Sequence, residues 1–130
     1  GQRDDVVNLL CGFDVFALAT QVEALGTSFI EAAACGLPLV GTRVGGVPEI
    51  IEDGVNGFLV DPHSPSALTH ALARLIADAP LRRAMGQAAK AKVHGDDRFT
   101  VDTMARTTEE AYYRWLSERA DSHRHHQPRA

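Results

Sequence analysis

Three short apolar runs limit what this chain can fold into. They are "DVFALAT" (residues 14–20), "PLVGT" (38–42) and "GFLV" (57–60). Each is nearly continuous in apolar residues, the pattern of a strand buried on both faces. The stretches between them carry helical spacing instead. In "DDVVNLLCGF" (4–13), Val6, Leu9, Leu10 and Phe13 repeat at helical intervals, with Asp4 and Asp5 at the end where the helix dipole favours acids. "SFIEAAAC" (28–35) stops at Gly36, with Pro38 just beyond, and "VPEIIE" (47–52) has Pro48 near its first turn. Strands alternating with helices predict a parallel α/β sheet.

After the third run, Ser64 and Pro65 form a helix start, and Leu68, Ala71, Leu72, Leu75 and Ile76 mark one apolar face. Pro80 restarts the pattern as a second helix to about residue 93. A last helix is expected over residues 100–119, with Val101, Met104, Ala105, Thr108, Tyr112 and Trp115 as its buried stripe. The end, "DSHRHHQPRA" (121–130), has no apolar periodicity and is expected to be a disordered tail. Three strands are few for a sheet covered on both faces. The expectation is therefore a partial Rossmann-like parallel sheet with flanking helices, the later part of a doubly wound domain whose first strands are absent.

Composition removes several classes. A hydrophobic fraction of 45% in 130 residues fills one core, and a net charge of −4 without a basic stripe argues against nucleic acid. The apolar runs fall short of the ~20 residues that span a bilayer, and no secretory signal pattern is present. Cys11 and Cys35 read as small buried thiols of a reducing compartment. A cytoplasmic location is the resulting expectation. His123, His125 and His126 have no Cys or carboxylate at ligand spacing and read as solvated. Arg82 and Arg83 read as a solvated helix face. Gly41, Gly45 and Gly46 do not fit the dinucleotide pattern G-x-G-x-x-G, and no P-loop Lys-Ser/Thr follows. The glycine pair reads equally well as a tight turn or as a ligand contact.

The informative segment is "VEALGTSFIEAAACGLP" (22–38). Glu23 and Glu31 are eight residues apart, with Gly26 between them at a strand-to-helix turn. Ligands of open α/β sheets bind beyond the carboxyl ends of the strands. A helix N-terminus there offers unpaired N–H groups to a phosphate, and a glycine lets the backbone come close. Two carboxylates flanking such a site suit a ligand with hydroxyls on both sides of a diphosphate. The competing reading is structural: Ser28-x-x-Glu31 matches a capping box, and Glu23 is then a loop charge.

The wider pattern bears on this choice. After the Glu-x7-Glu pair come "ACGLPLVGTRVGGVPEII" (34–51), "EDGVNGFLVDPHSPSAL" (52–68) and a trailing helical region. In this order they resemble the C-terminal half of glycosyltransferase family 4, nucleotide-sugar-dependent enzymes of the GT-B architecture with two Rossmann domains. The resemblance covers residues 1 to about 116. It implies a C-terminal donor-binding domain over residues 1–120. It also implies a retaining transfer of a hexose from UDP-, GDP- or ADP-hexose to a sugar, lipid or other acceptor, with no cofactor and no tightly bound metal.

Residue by residue, it implies that Glu23 lies against the donor sugar and its phosphate, as the catalytic group, and that Glu31 holds the ribose hydroxyls. It implies that the loop of Ala24, Leu25, Gly26 and Thr27 meets the diphosphate, and that Gly1, Gln2 and Arg3 lie near the base. Two positions depart from the family: Ala24 stands where glycine is usual, and Val22 where an aromatic is frequent. The family's basic pair and its acceptor domain would precede residue 1. The implied partner is thus a missing N-terminal GT-B domain, with peripheral membrane association an option for the full enzyme. The chain alone is expected to be inactive. The alternative is a non-catalytic remnant that binds nucleotide or pairs with a partner.

Overall fold

The computed structural model describes residues 3–124, which divide after Gly95 into two units. The first unit runs α1 (Val6–Leu10), β1 (Phe16–Leu18), α2 (Thr27–Ala34), β2 (Leu39–Thr42), α3 (Val47–Ile50), β3 (Gly57–Val60), α4 (Pro65–Ala77) and α5 (Ala79–Gly95). The second holds a 3-10 turn (Asp97–Phe99) and α6 (Val101–Arg124).

All three apolar runs are strands, and they pair in parallel in the order β1-β2-β3. The α/β expectation with a partial parallel sheet therefore holds. Side chains alternate across a strand, and the register sorts them. Val40 pairs with Phe58, and Thr42 with Val60. On that face Val40, Phe58 and Val60 pack with Ala71 and Leu75 of α4 and Met85 of α5. Phe16 and Leu39 point to the other face, where α2 and α3 lie. Phe29 is completely buried there, with its ring edge-on to Phe16 at 5.3 Å. Gly41 makes room for it: a Cβ at Gly41 would lie 2.8 Å from Phe29 Cζ and 2.9 Å from Ile51 Cδ1.

Asn56 ties the loop between α3 and β3 together. It is 1% exposed, donates to the Ile50 carbonyl at 2.9 Å and accepts from the Glu52 N–H at 2.7 Å. A buried polar group is inexpensive only when paired. Asn56→Ala leaves both partners unsatisfied, so a loss of about 1–3 kcal/mol is expected. A lower urea midpoint at unchanged m-value would register it; an unmoved midpoint would mean that water replaces both bonds.

Several expectations need correction. The first helix covers only residues 6–10, because Gly12 and Asp14 follow directly. Arg82 is no solvated charge: it donates to the carbonyls of Leu75 and Ile76 at the end of α4, at 2.7 and 3.3 Å. Cys11 is exposed and Cys35 half-buried. The two thiols are neighbours, and desolvation, followed by the hydrogen bond with Cys11, pushes the Cys35 thiol up. The α6 stripe is not buried, with Val101 74% and Tyr112 64% exposed. Periodicity reports an apolar stripe, whereas burial needs a second surface, and a single turn and helix offer none. The backbone of α6 runs as helix to Arg124, five residues beyond the expected end. Residues 125–130, with His125 and His126, lie outside the described residues. No helix among the described residues is long and apolar enough to cross a membrane.

Candidate functional site

The Glu23–Thr27 turn leaves the carboxyl end of β1 and enters α2. Its entry is anchored from the neighbouring strand: Thr42 Oγ1, at the end of β2, donates to the Thr20 carbonyl at 2.5 Å. Thr20 Oγ1 donates in turn to the Val22 carbonyl at 2.7 Å. Val22 itself is 86% exposed. The turn then reaches Gly26, at φ 86° and ψ 54°, which is the N-cap of α2. An L side chain adopts that conformation only with strain, and a Cβ at Gly26 would lie 2.9 Å from Phe29 Cδ2.

This N-cap assignment decides between the two readings of Ser28 and Glu31. A capping box needs Ser28 at the cap and Glu31 three residues on. In the structure Gly26 is the cap, no side chain caps the helix, and Glu31 is its fifth residue. Glu31 is exposed, and its side chain makes no cap hydrogen bond at the start of the helix. It follows Thr27 by four residues, so the two share one face of α2. The Phe29 N–H donates to the Gly26 carbonyl at 2.9 Å, and the Thr27 and Ser28 N–H groups before it are the orphan donors of a helix start. The site thus combines an uncapped helix N-terminus, a glycine turn and a carboxylate one turn along the same face.

Glu23 is half-buried, and its Oε1 accepts from the Ala24 N–H at 3.1 Å. The carboxylate therefore folds over its own turn. Ala24 needs no left-handed backbone: among the described non-glycine residues only His63 has positive φ. The departure from the family's glycine is accommodated without strain.

The glycine pair turns out to be a support for this loop. Gly46 N–H donates to the Ala24 carbonyl at 2.8 Å. Gly45 sits at φ 50°, and a Cβ there would overlap the Glu23 carbonyl oxygen and lie 2.8 Å from its carbon. Neither sequence reading anticipated this packing, because the partners are more than twenty residues apart.

Arg3 is engaged elsewhere, in a two-pronged pair with Asp5 at 2.7 Å for each contact. This contact holds the exposed Arg3 guanidinium above its usual range and the Asp5 carboxyl below its own. Gly1 and Gln2 lie outside the described residues. A cleft of about 220 Å³ lies at the carboxyl ends of all three strands, lined by Thr20, Gln21, Thr42, Asp61, His63 and Ser64 among others. It includes neither glutamate. Gln21 and His63 carried no motif signal, so sequence reasoning missed them. Among the described residues no cluster could hold a metal.

Known proteins resemble this chain in sequence and in fold. The family model described as "Glycosyl transferases group 1" matches residues 1–92. N-acetyl-alpha-D-glucosaminyl L-malate synthase of Bacillus anthracis is 34% identical over 87% of this chain and 29% of its own length. D-inositol 3-phosphate glycosyltransferase of Streptomyces griseus is 42% identical over 86% of this chain and 23% of its own. The chain thus spans under a third of either relative. Among solved structures, Anabaena HepE in complex with UDP-glucose superimposes with a TM-score of 0.78 at 31% identity, over 87% of this chain and 31% of that one. The glycosyltransferase of Rickettsia africae superimposes equally well, at 28% identity over 89% and 31%. The parallel sheet, the glycine turn with its two glutamates and these matches together place the chain in the glycosyl transferases group 1 family, with the GT-B type of fold.

Proposed function

We propose that this chain is the donor-binding part of a retaining glycosyltransferase that moves a hexose from a nucleotide-sugar to an acceptor held by another domain. The observation that carries the reading is the Gly26 turn, with an uncapped α2 N-terminus and Glu31 left free on the Thr27 face. The diphosphate of the donor sits at the N–H groups of Leu25, Gly26 and Thr27, where the helix dipole favours negative charge. Glu31 accepts hydrogen bonds from the ribose hydroxyls. Glu23 faces the hexose and its bond to phosphate. The leaving diphosphate needs fixed positive groups in addition to the helix terminus. UDP-glucose, the ligand of the Anabaena HepE structure, is the first donor to test.

The test is nucleotide binding by the chain joined to its acceptor domain. Hydrogen bonds to a charged acceptor contribute about 1.5–3 kcal/mol, so Glu31→Ala is expected to weaken UDP binding about 10- to 150-fold in a calorimetric titration. Unchanged affinity would remove Glu31 from the donor site. No detectable nucleotide binding by the unmodified protein would favour a non-catalytic pairing role.

A further inference from the structure

We infer that the Gly45-Gly46 turn is a positioning element for the donor loop. It sets the backbone of Glu23 and Ala24, and through it the direction of the Glu23 carboxylate. This inference rests on the donor-site reading above.

Two independent contacts carry it. One is a hydrogen bond across the strand ends, from Gly46 N–H to the Ala24 carbonyl at 2.8 Å. The other is closeness of backbone to backbone. The Glu23 carbonyl occupies the space that a Gly45 Cβ would need. A Cβ at Gly46 would lie 2.8 Å from the Ala24 oxygen and 2.9 Å from Leu25 Cα. These neighbours are main-chain atoms, so no rotamer change relieves the overlap and the loop itself must move. The same loop is tied from its other side by Glu23 Oε1 and the Ala24 N–H. Ala24 is therefore gripped at both its carbonyl and its N–H, and its one-residue link to Glu23 transmits any displacement to the carboxylate. Catalysis is sensitive to such shifts: a misplacement of about 1 Å can lower a rate about 100-fold.

The molecule supplies its own controls. Gly45 combines positive φ with close contact. Gly46 has φ −80°, which any residue adopts, so Gly46→Ala tests contact alone. Gly54 has φ 80° with nothing within 4 Å of a Cβ, so Gly54→Ala tests backbone strain alone. In the full chain, Gly45→Ala and Gly46→Ala are expected to shift the amide NMR resonances of residues 23–27, and Gly54→Ala to leave them in place. In the transferase, the first two are expected to lower kcat by about 10- to 100-fold, more than they raise KM for the donor, and Gly54→Ala to leave kcat intact. Placed on a Glu23→Gln background, Gly46→Ala is expected to have little further effect on kcat. Unmoved resonances in a folded Gly46→Ala chain would overturn the inference, as would a full additional loss of kcat on the Glu23→Gln background. If Glu23→Gln alone keeps full turnover, the donor-site reading fails instead, and the NMR comparison still judges whether the turn positions the loop.

Discussion

Glu23→Gln in the transferase is expected to lower kcat by about 100- to 1,000-fold while nucleotide affinity changes less than about threefold. The magnitude is that of removing one preorganised electrostatic group from a reacting centre. The asymmetry follows from where the charge acts. In the proposed site Glu31 and the helix terminus hold the nucleotide, and Glu23 meets the sugar and the bond that breaks. An interaction made mainly in the transition state appears in kcat and not in binding. The substitution is well suited to the question, because the glutamine carbonyl can still accept from the Ala24 N–H, the contact that Glu23 Oε1 makes at 3.1 Å. The loop then keeps its shape and only the charge is lost. Steady-state kinetics beside a UDP titration separate the two effects. Wild-type turnover would remove Glu23 from the mechanism, and parallel losses in binding and turnover would place it with the nucleotide.

Phe29→Ala is expected to cost about 3–5 kcal/mol of folding stability, the range for truncating a buried aromatic. Domains of this kind are stable by about 5–15 kcal/mol in total, so the variant is expected to be close to unfolding. Phe29 is wholly buried, edge-on to Phe16, and its ring fills the space above Gly41. Collapse into the cavity is resisted, since Val47, Ile51 and the sheet are fixed around it. The same side chain holds α2, which carries Thr27 and Glu31, against the sheet. Urea unfolding monitored by circular dichroism measures the loss; a change under 1 kcal/mol would show that α2 repacks and that Phe29 does not anchor it. A donor titration below the unfolding transition is expected to weaken as well, because the helix N-terminus loses its fixed direction.

Much of this protein is legible in its amino-acid sequence. Buried-strand composition, period-3.6 stripes and Gly/Pro punctuation are local properties, and they located all three strands and the helices of the first unit within a few residues. Their order implied a parallel sheet, because short apolar runs separated by helices have few other ways to satisfy their backbones. The pattern from Glu23 to Leu68 pointed to the family that the comparisons show. Local pattern also misled. Ser28-x-x-Glu31 has the letters of a capping box, yet the chain turns at Gly26, two residues earlier. The α6 stripe has core periodicity and is exposed. Arg82 has the look of a surface charge and closes the end of α4.

What the amino-acid sequence by itself determined was the kind of element at each place and the identity of the groups offered to a ligand: two carboxylates, a glycine turn and a helix start. Which of those groups are free to act was decided only in three dimensions. Glu31 is released from capping because Phe29 and the sheet place the α2 N-terminus at Gly26. Glu23 is held because Gly45 and Gly46, more than twenty residues away, press their backbones against its loop. Close approach of two main chains leaves no periodicity and no motif in either segment. It exists only where parallel pairing of β1 with β2 brings the loops after both strands to the same end of the sheet.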